Sequence, residues 1–290
     1  MAVREEKIPV VHMMQLSKNK PCVSERTLEY LLSDSLTSSL CVNIDKGTET
    51  WVVAGMLVQY LDSFTDSVVV RDNMTPIGLI GGKEIIEGIL ENPTNSFFNR
   101  KVEEIMNSKI VKISKYHTLE ELLYRWMQTR RAFAVIDNEL FDYSAISAKK
   151  LLGIGKRCKT EIAISDIPKK TVVTFTKDQT VGDVINSMLK NKTRKLLLEG
   201  SNQYINDRLI IEKISEDLKY LKYVRNFLDS PMTTFNLAEA KVVSENLTLP
   251  ELSKIMLDMA HPYVIYQNQV VSPWDICLML LSKDLKDYQT

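Results

Sequence analysis

Val270-Val271-Ser272-Pro273-Trp274-Asp275-Ile276-Cys277-Leu278-Met279-Leu280-Leu281 joins an apolar strand to an apolar helix through a polar hinge. Ser272 is placed to cap the helix, and proline is tolerated in the first turn because its missing N–H has no helical partner there. Asp275 follows three residues after Ser272. One hydroxyl and one carboxylate are thus presented together at a helix start, where free backbone N–H groups attract anions. The pair reads either as a capping box, with Asp275 bonding back to the cap, or as a ligand-binding pair.

Working outward, the ending recurs. Leu28–Ser33, Val102–Asn107, Ile164–Pro168 and Val224–Asp229 are four similar starts, about 74, 62 and 60 residues apart, a spacing that calls for one structural unit each. Each start leads to a strand, a helix, a strand, a turn, a second strand and a second helix. The predicted strands are Leu40–Ile44, Ser67–Arg71 and Pro76–Ile80; Ile110–Ile113 and Phe133–Ile136; Thr171–Phe175 and Lys195–Glu199; Lys241–Ser244, Pro262–Tyr266 and Gln269–Val271. Thr50, Thr118, Thr180 and Thr248 are the predicted helix caps. Gly153 and Gly155 are expected to break the helix at Ala148–Leu152, leaving the basic stretch Lys149–Lys159 as a linker between halves. A polar helical extension, Ser215–Arg225, is expected before the fourth unit, and an insertion, Met232–Ala240, within it. The arm 1–27 is expected to pack on the first repeat or on a partner.

Composition bounds the function. The chain has 290 residues, 44% hydrophobic and 26% charged, enough for a packed core. Its 37 basic and 37 acidic residues argue against nucleic-acid binding by bulk electrostatics. Cys22, Cys41, Cys158 and Cys277 are scattered, with no Cys-x-x-Cys pair, and read as reduced thiols of a cytoplasmic protein. His12, His117 and His261 are too dispersed for a metal site, and no Ser/His/Asp set can be argued. The polar, acidic opening Met1–Lys7 does not read as a secretory leader, and no apolar run approaches the roughly 18 residues that span a bilayer.

A strand–helix–strand–strand–helix unit of about sixty residues, ending in strand–Ser/Thr-x-x-Asp–helix, resembles the CBS domain (named for cystathionine beta-synthase). The resemblance covers roughly residues 28–285 and implies an α/β (α+β) fold of four CBS repeats of β-α-β-β-α type, of the archaeal or bacterial stand-alone kind. The units are an arm at 1–27 and repeats at 28–95, 96–157, 158–222 and 223–290. The family pairs repeats through their sheets around a pseudo-twofold axis, implying two tandem modules whose clefts commonly hold adenine nucleotides. Its motif, Gly-hydrophobic-hydrophobic-Thr/Ser-x-x-Asp/Asn, turns a hydroxyl and a helix start toward phosphate while the acid takes the ribose hydroxyls.

The motif is kept unevenly. Repeat four has Ser272, Pro273 and Asp275, lacking only the leading glycine, which is Gln269. Repeat one has lost the hydroxyl, but Gly81 and Gly82 allow close backbone approach and Glu84 offers a longer acid arm. Repeat two has Ser147 but Lys150 where the acid belongs, a cation suited to phosphate. Repeat three has Asn206-Asp207-Arg208-Leu209, with no acid at the matching position and Arg208 within reach of phosphate. His261, Pro262 and Tyr263 lie where the family sets adenine against backbone, although an aromatic there serves equally as core.

The resemblance implies a non-catalytic regulatory protein. It binds AMP, ADP or ATP between repeats and transmits that binding to an unidentified protein partner. No metal and no membrane are expected, and tandem modules of this kind often pair as homodimers. Four repeats in one chain resemble the architecture of the gamma subunit of the AMP-activated kinase. The alternative is a scaffold or RNA/DNA-binding protein with degenerate clefts, suggested by the uneven motifs and the basic linker.

Overall fold

The computed structural model of the protein describes residues 20–32, 41–59, 67–138, 142–216 and 227–289. The same unit is built four times. In the first, β1 (Asn43–Asp45) leads to α1 (Thr50–Gln59), β2 (Ser67–Asp72), β3 (Thr75–Gly81) and α2 (Gly82–Glu91). β1 runs parallel to β2, so a crossover must join them, and α1 supplies it. β2 and β3 are antiparallel and need only a tight turn, where Asn73 adopts a left-handed φ of 54°.

The second unit comprises β4 (Lys112–Ile113), α3 (Leu119–Thr129), β5 (Phe133–Asn138), β6 (Asp142–Ser147) and α4 (Ala148–Arg157), and β7 (Cys158–Lys159) follows it. The third comprises β8 (Thr174–Phe175), α5 (Val181–Lys190), β9 (Lys195–Leu198), β10 (Gln203–Asn206) and α6 (Asp207–Glu216), with β11 (Ala238–Glu239) added at its edge. The fourth comprises β12 (Lys241–Val242), α7 (Leu249–Leu257), β13 (Val264–Tyr266), β14 (Gln269–Val271) and α8 (Pro273–Met279). β15 (Asp287–Tyr288) returns to pair with β7.

Several local expectations change. Thr118, Thr180 and Thr248 cap their helices as expected, but Thr50 is the first helical residue and its hydroxyl donates to the Arg100 carbonyl at 2.9 Å. Gly153 and Gly155 do not break α4, which runs on to Arg157 because α7 and α8 pack against it. The basic stretch is therefore mostly helix rather than linker. Of the strand expected at Thr171–Phe175, Thr174–Phe175 is strand, while Thr171–Val173 lines a cavity. The expected insertion supplies a short helical turn, Met232–Thr234, and the edge strand β11. The extension beyond Glu216 and the arm before Lys20 lie outside the described residues.

The starting turns dock crosswise. The Leu28 amide donates to the His117 carbonyl at 2.9 Å, so the first start packs on repeat two. The Val102 amide donates to the Thr48 carbonyl at 2.9 Å, so the second start packs on repeat one. In the same way Ile164 bonds to Leu247 of repeat four, and the Val181 amide of repeat three bonds to Ser230. Of the arm expected on the first repeat or on a partner, the described part, from Lys20, packs on neither the sheet nor the helices of repeat one but on repeats two and four. Val23 donates to the Leu285 carbonyl at 2.8 Å.

Each repeat buries two faces. The sheets of repeats one and two meet through Val69, Leu79, Phe133 and Val135, and those of three and four through Leu197, Tyr204 and Ile265. The helices then pair between modules. One large core joins repeats two and four, including Trp126, Leu152, Leu252 and Ile276, and another joins repeats one and three, including Leu57, Ile85, Ile211 and Ile214. Burying an aliphatic or aromatic side chain contributes roughly 1.5–3 kcal/mol, so these shared cores are the chief cohesion between modules. Four units, each with two neighbours, close a ring around a shared cavity.

Candidate functional site

The four sheet-to-helix junctions point into the middle of the ring. Aligned by helix start, the cap and the residue three positions on are Gly81 and Glu84, Ser147 and Lys150, Asn206 and Leu209, and Ser272 and Asp275. At the fourth junction the Ser272 amide and hydroxyl both donate to Asp275 Oδ2, each at 2.8 Å. The capping box is therefore formed. Asp275 is 3% exposed, and its other oxygen, Oδ1, accepts from Lys170 Nζ. One oxygen thus serves the helix and the other faces a cation from repeat three.

The remaining junctions differ. Glu84 accepts from the Gly81 amide at 2.8 Å and from the Arg131 guanidinium, which also reaches Ser67 Oγ. A Cβ on Gly82 would fall on the Asp207 carboxylate. The glycine therefore lets the third repeat approach the start of α2. Asp207 is held by Arg194 Nε at 2.7 Å. The Lys150 amide bonds to Ser147 Oγ, and its ammonium donates to the Ala145 carbonyl at 3.2 Å. Burial, opposed by the neighbouring Cys41, pushes the Lys150 ammonium down to about 8. Arg208 is buried and donates to the Leu57 carbonyl at 2.8 Å, tying repeat three to α1. Asn206 caps α6 through the Leu209 amide and meets His261 Nδ1 at 3.3 Å.

A cavity of about 1050 Å³ lies between these junctions and takes walls from all four repeats. Its lining includes Ser272, Pro273, Asp275, His261, Pro262, Tyr263, Asn206, Arg208, Gly81 and Gly82. The structure thus brings together most of the expected residues, whereas Glu84 is closed off by Arg131, and Ser147 and Lys150 bond within their own repeat. Nine lining residues are Lys or Arg: Lys83, Arg130, Arg131, Lys149, Lys170, Lys192, Arg194, Lys195 and Arg208. Among the described lining residues, only Glu87 and Asp275 are acidic. Four of the nine are ion-paired, Lys83 with Glu87, Arg131 with Glu84, Lys170 with Asp275 and Arg194 with Asp207, so the positive excess among the described lining residues is smaller than the bare count, and the low-dielectric walls strengthen the field of what remains.

Several of these cations were missed from sequence. Lys195 Nζ lies 4.2 Å from the centre of the Tyr263 ring, across the sheet seam, a cation–π contact that fixes Tyr263 as a wall of the cleft. Burial, helped by the neighbouring Lys170 and Arg194 and opposed by Asp275, pushes its ammonium down to about 8. Arg130 and Lys192 occupy equivalent places just after α3 and α5, with left-handed φ of 53° and 52°. Glycine or asparagine usually takes that position. Aligning Thr129-Arg130-Arg131 with Asn191-Lys192-Thr193 exposes the signal.

No protein-family model matches the chain, and no curated protein sequence matches it. Solved structures do match. A Methanocaldococcus jannaschii protein, described as a candidate archaeal homologue of gamma-AMPK, aligns at TM-score 0.70 and 17% identity, over 86% of this chain and 99% of its own. An uncharacterised conserved protein from Pyrococcus horikoshii aligns at TM-score 0.50 and 12% identity, over 74% of this chain and 91% of its own. A CBS-domain-containing protein from Agrobacterium tumefaciens aligns at TM-score 0.38 and 15% identity, over 44% of this chain and 92% of its own. The chain has the CBS-domain fold, with four repeats forming two tandem modules.

Proposed function

We propose that the protein is a non-catalytic sensor that binds an adenine nucleotide in the central cavity and passes the binding event to a protein partner. The observation that carries this reading is the cavity itself: among the described residues it is lined by nine Lys or Arg, four of them paired with Glu84, Glu87, Asp207 and Asp275, with a buried carboxylate and a serine-capped helix start on its wall. The cationic lining suits phosphates, and Asp275 suits two vicinal hydroxyls because a carboxylate accepts several hydrogen bonds at once. Tyr263, Pro262 and His261 offer a flat, partly apolar wall for a base. The neighbour described as a candidate gamma-AMPK homologue fits a regulatory role. Energetically, a nucleotide shifts the chain between states only by its difference in affinity for them.

The test is calorimetric titration of ligand-stripped protein with AMP, ADP and ATP, alongside Asp275→Ala. Micromolar binding that weakens at least tenfold in the variant is expected. Equal affinity in both proteins removes Asp275 from the site. No binding of any of the three to the intact fold removes the nucleotide reading.

A further inference from the structure

The carboxylate assigned above to the ligand is already occupied from within the chain. Asp275 Oδ2 takes both donors of Ser272, and Oδ1 takes the Lys170 ammonium. Lys170 belongs to the other repeat of the module and follows Pro168 in a stretch without regular structure. Its side chain is 47% exposed, whereas that of Asp275 is 3% exposed. The corresponding pair in repeat one is different. There Arg131 and Glu84 are 13% and 5% exposed, buried on both sides. Of these two pairs, that at Asp275 has the partner with room to leave.

We infer that Lys170 is a specificity-determining residue, which holds the free oxygen of Asp275 until a phosphorylated ligand draws it away. The inference rests on the nucleotide reading of the Asp275 cleft. A ribose that takes Oδ1 replaces an ion pair with hydrogen bonds from uncharged hydroxyls. It also takes from the Lys170 ammonium, which already lines the cavity beside Lys195, its carboxylate partner. A bare nucleoside supplies nothing to meet that charge. A nucleotide supplies phosphate, so Lys170 exchanges one anion for another. The exchange links the ribose position to the phosphate position, and the site selects phosphorylated ligands by more than their direct contacts.

The probes are adenosine and ADP, titrated calorimetrically into wild type, Lys170→Met and Lys170→Arg, with folding checked by circular dichroism. Wild type is expected to prefer ADP over adenosine by at least 100-fold. In Lys170→Met, adenosine should bind about tenfold tighter and ADP about tenfold weaker, collapsing the preference. Lys170→Arg should restore most of it. A preference unchanged in Lys170→Met, with ADP bound by wild type, overturns the role of Lys170 and leaves the nucleotide reading standing. So does a Lys170→Met variant in which ADP weakens while adenosine binds as in wild type, because that is loss of phosphate contact alone. Failure of ADP to bind folded wild type overturns the nucleotide reading and this inference together.

Discussion

Asp275 closes the N-terminus of α8 and faces the cavity with its second oxygen, so capping and binding are compatible tasks for one carboxylate. The serine, the proline and the acid were legible because their spacing has a local physical reason. Lys195 was not legible, because its meaning comes from Tyr263, 68 positions away, across the sheet seam. It carries a pH prediction. With the ammonium pushed from 10.5 to about 8, the unfolded chain holds that proton more firmly than the folded one. The penalty is therefore fully present below pH 8 and fades as pH rises toward the unfolded value, and a shift of this size corresponds to about 3 kcal/mol at most. Asp275, Lys170, Arg194 and Tyr263 face the group and remain in the variant. Lys195→Met should thus stabilise the ligand-free protein by about 1–3 kcal/mol at pH 7, and the gain should shrink toward pH 10. Urea titrations of both proteins at the two pH values measure it.

At the scale of elements, α4 shows how tertiary packing overrides local propensity. Two glycines in three residues read as a helix end, yet the helix continues to Arg157. Gly153 faces open space, with nothing within 4 Å of an added Cβ. A Cβ at Gly155 would instead strike Ser253 Oγ and approach Ile276 Cγ2 at 3.3 Å. The sequence gives both residues the same letter, and only the arrival of α7 and α8 separates their roles. Gly153→Ala should stabilise the protein by about 0.5–1 kcal/mol through helix propensity. Gly155→Ala should destabilise it by about 1–3 kcal/mol through overpacking. Thermal melts of the two single variants test the contrast, and equal shifts would show that α4 is not pressed against repeat four. The crosswise starting turns were invisible for a related reason. Sequence order assigns Leu28 to the strand that follows it, whereas its amide bonds to His117.

At the scale of the molecule, the order of repeats along the chain suggests two independent modules, because neighbouring repeats pair by their sheets. The structure divides its hydrophobic mass otherwise. The large cores join repeats two and four, and one and three, while the seams within each module are smaller. Periodicity marks which helix faces are apolar but does not say which repeat each face meets, so this pairing was beyond sequence reading. Cutting the chain after Lys159 would open both large cores at once, exposing Ile276, Leu252 and Met256 of one and Ile211, Ile214 and Val184 of the other. At roughly 1.5–3 kcal/mol per large side chain, exposing these six alone would cost about as much as the usual 5–15 kcal/mol stability of a domain. The full chain should therefore unfold in one calorimetric transition, with calorimetric and van't Hoff enthalpies agreeing. The fragment 160–290 alone should lack a cooperative melt and bind hydrophobic dye. ADP at a hundred times its dissociation constant should add about 3 kcal/mol to that single transition, because the site has walls from both modules. Two resolved transitions, of which ligand moves only one, would instead mean that the modules fold separately and that the cavity is not a joint site.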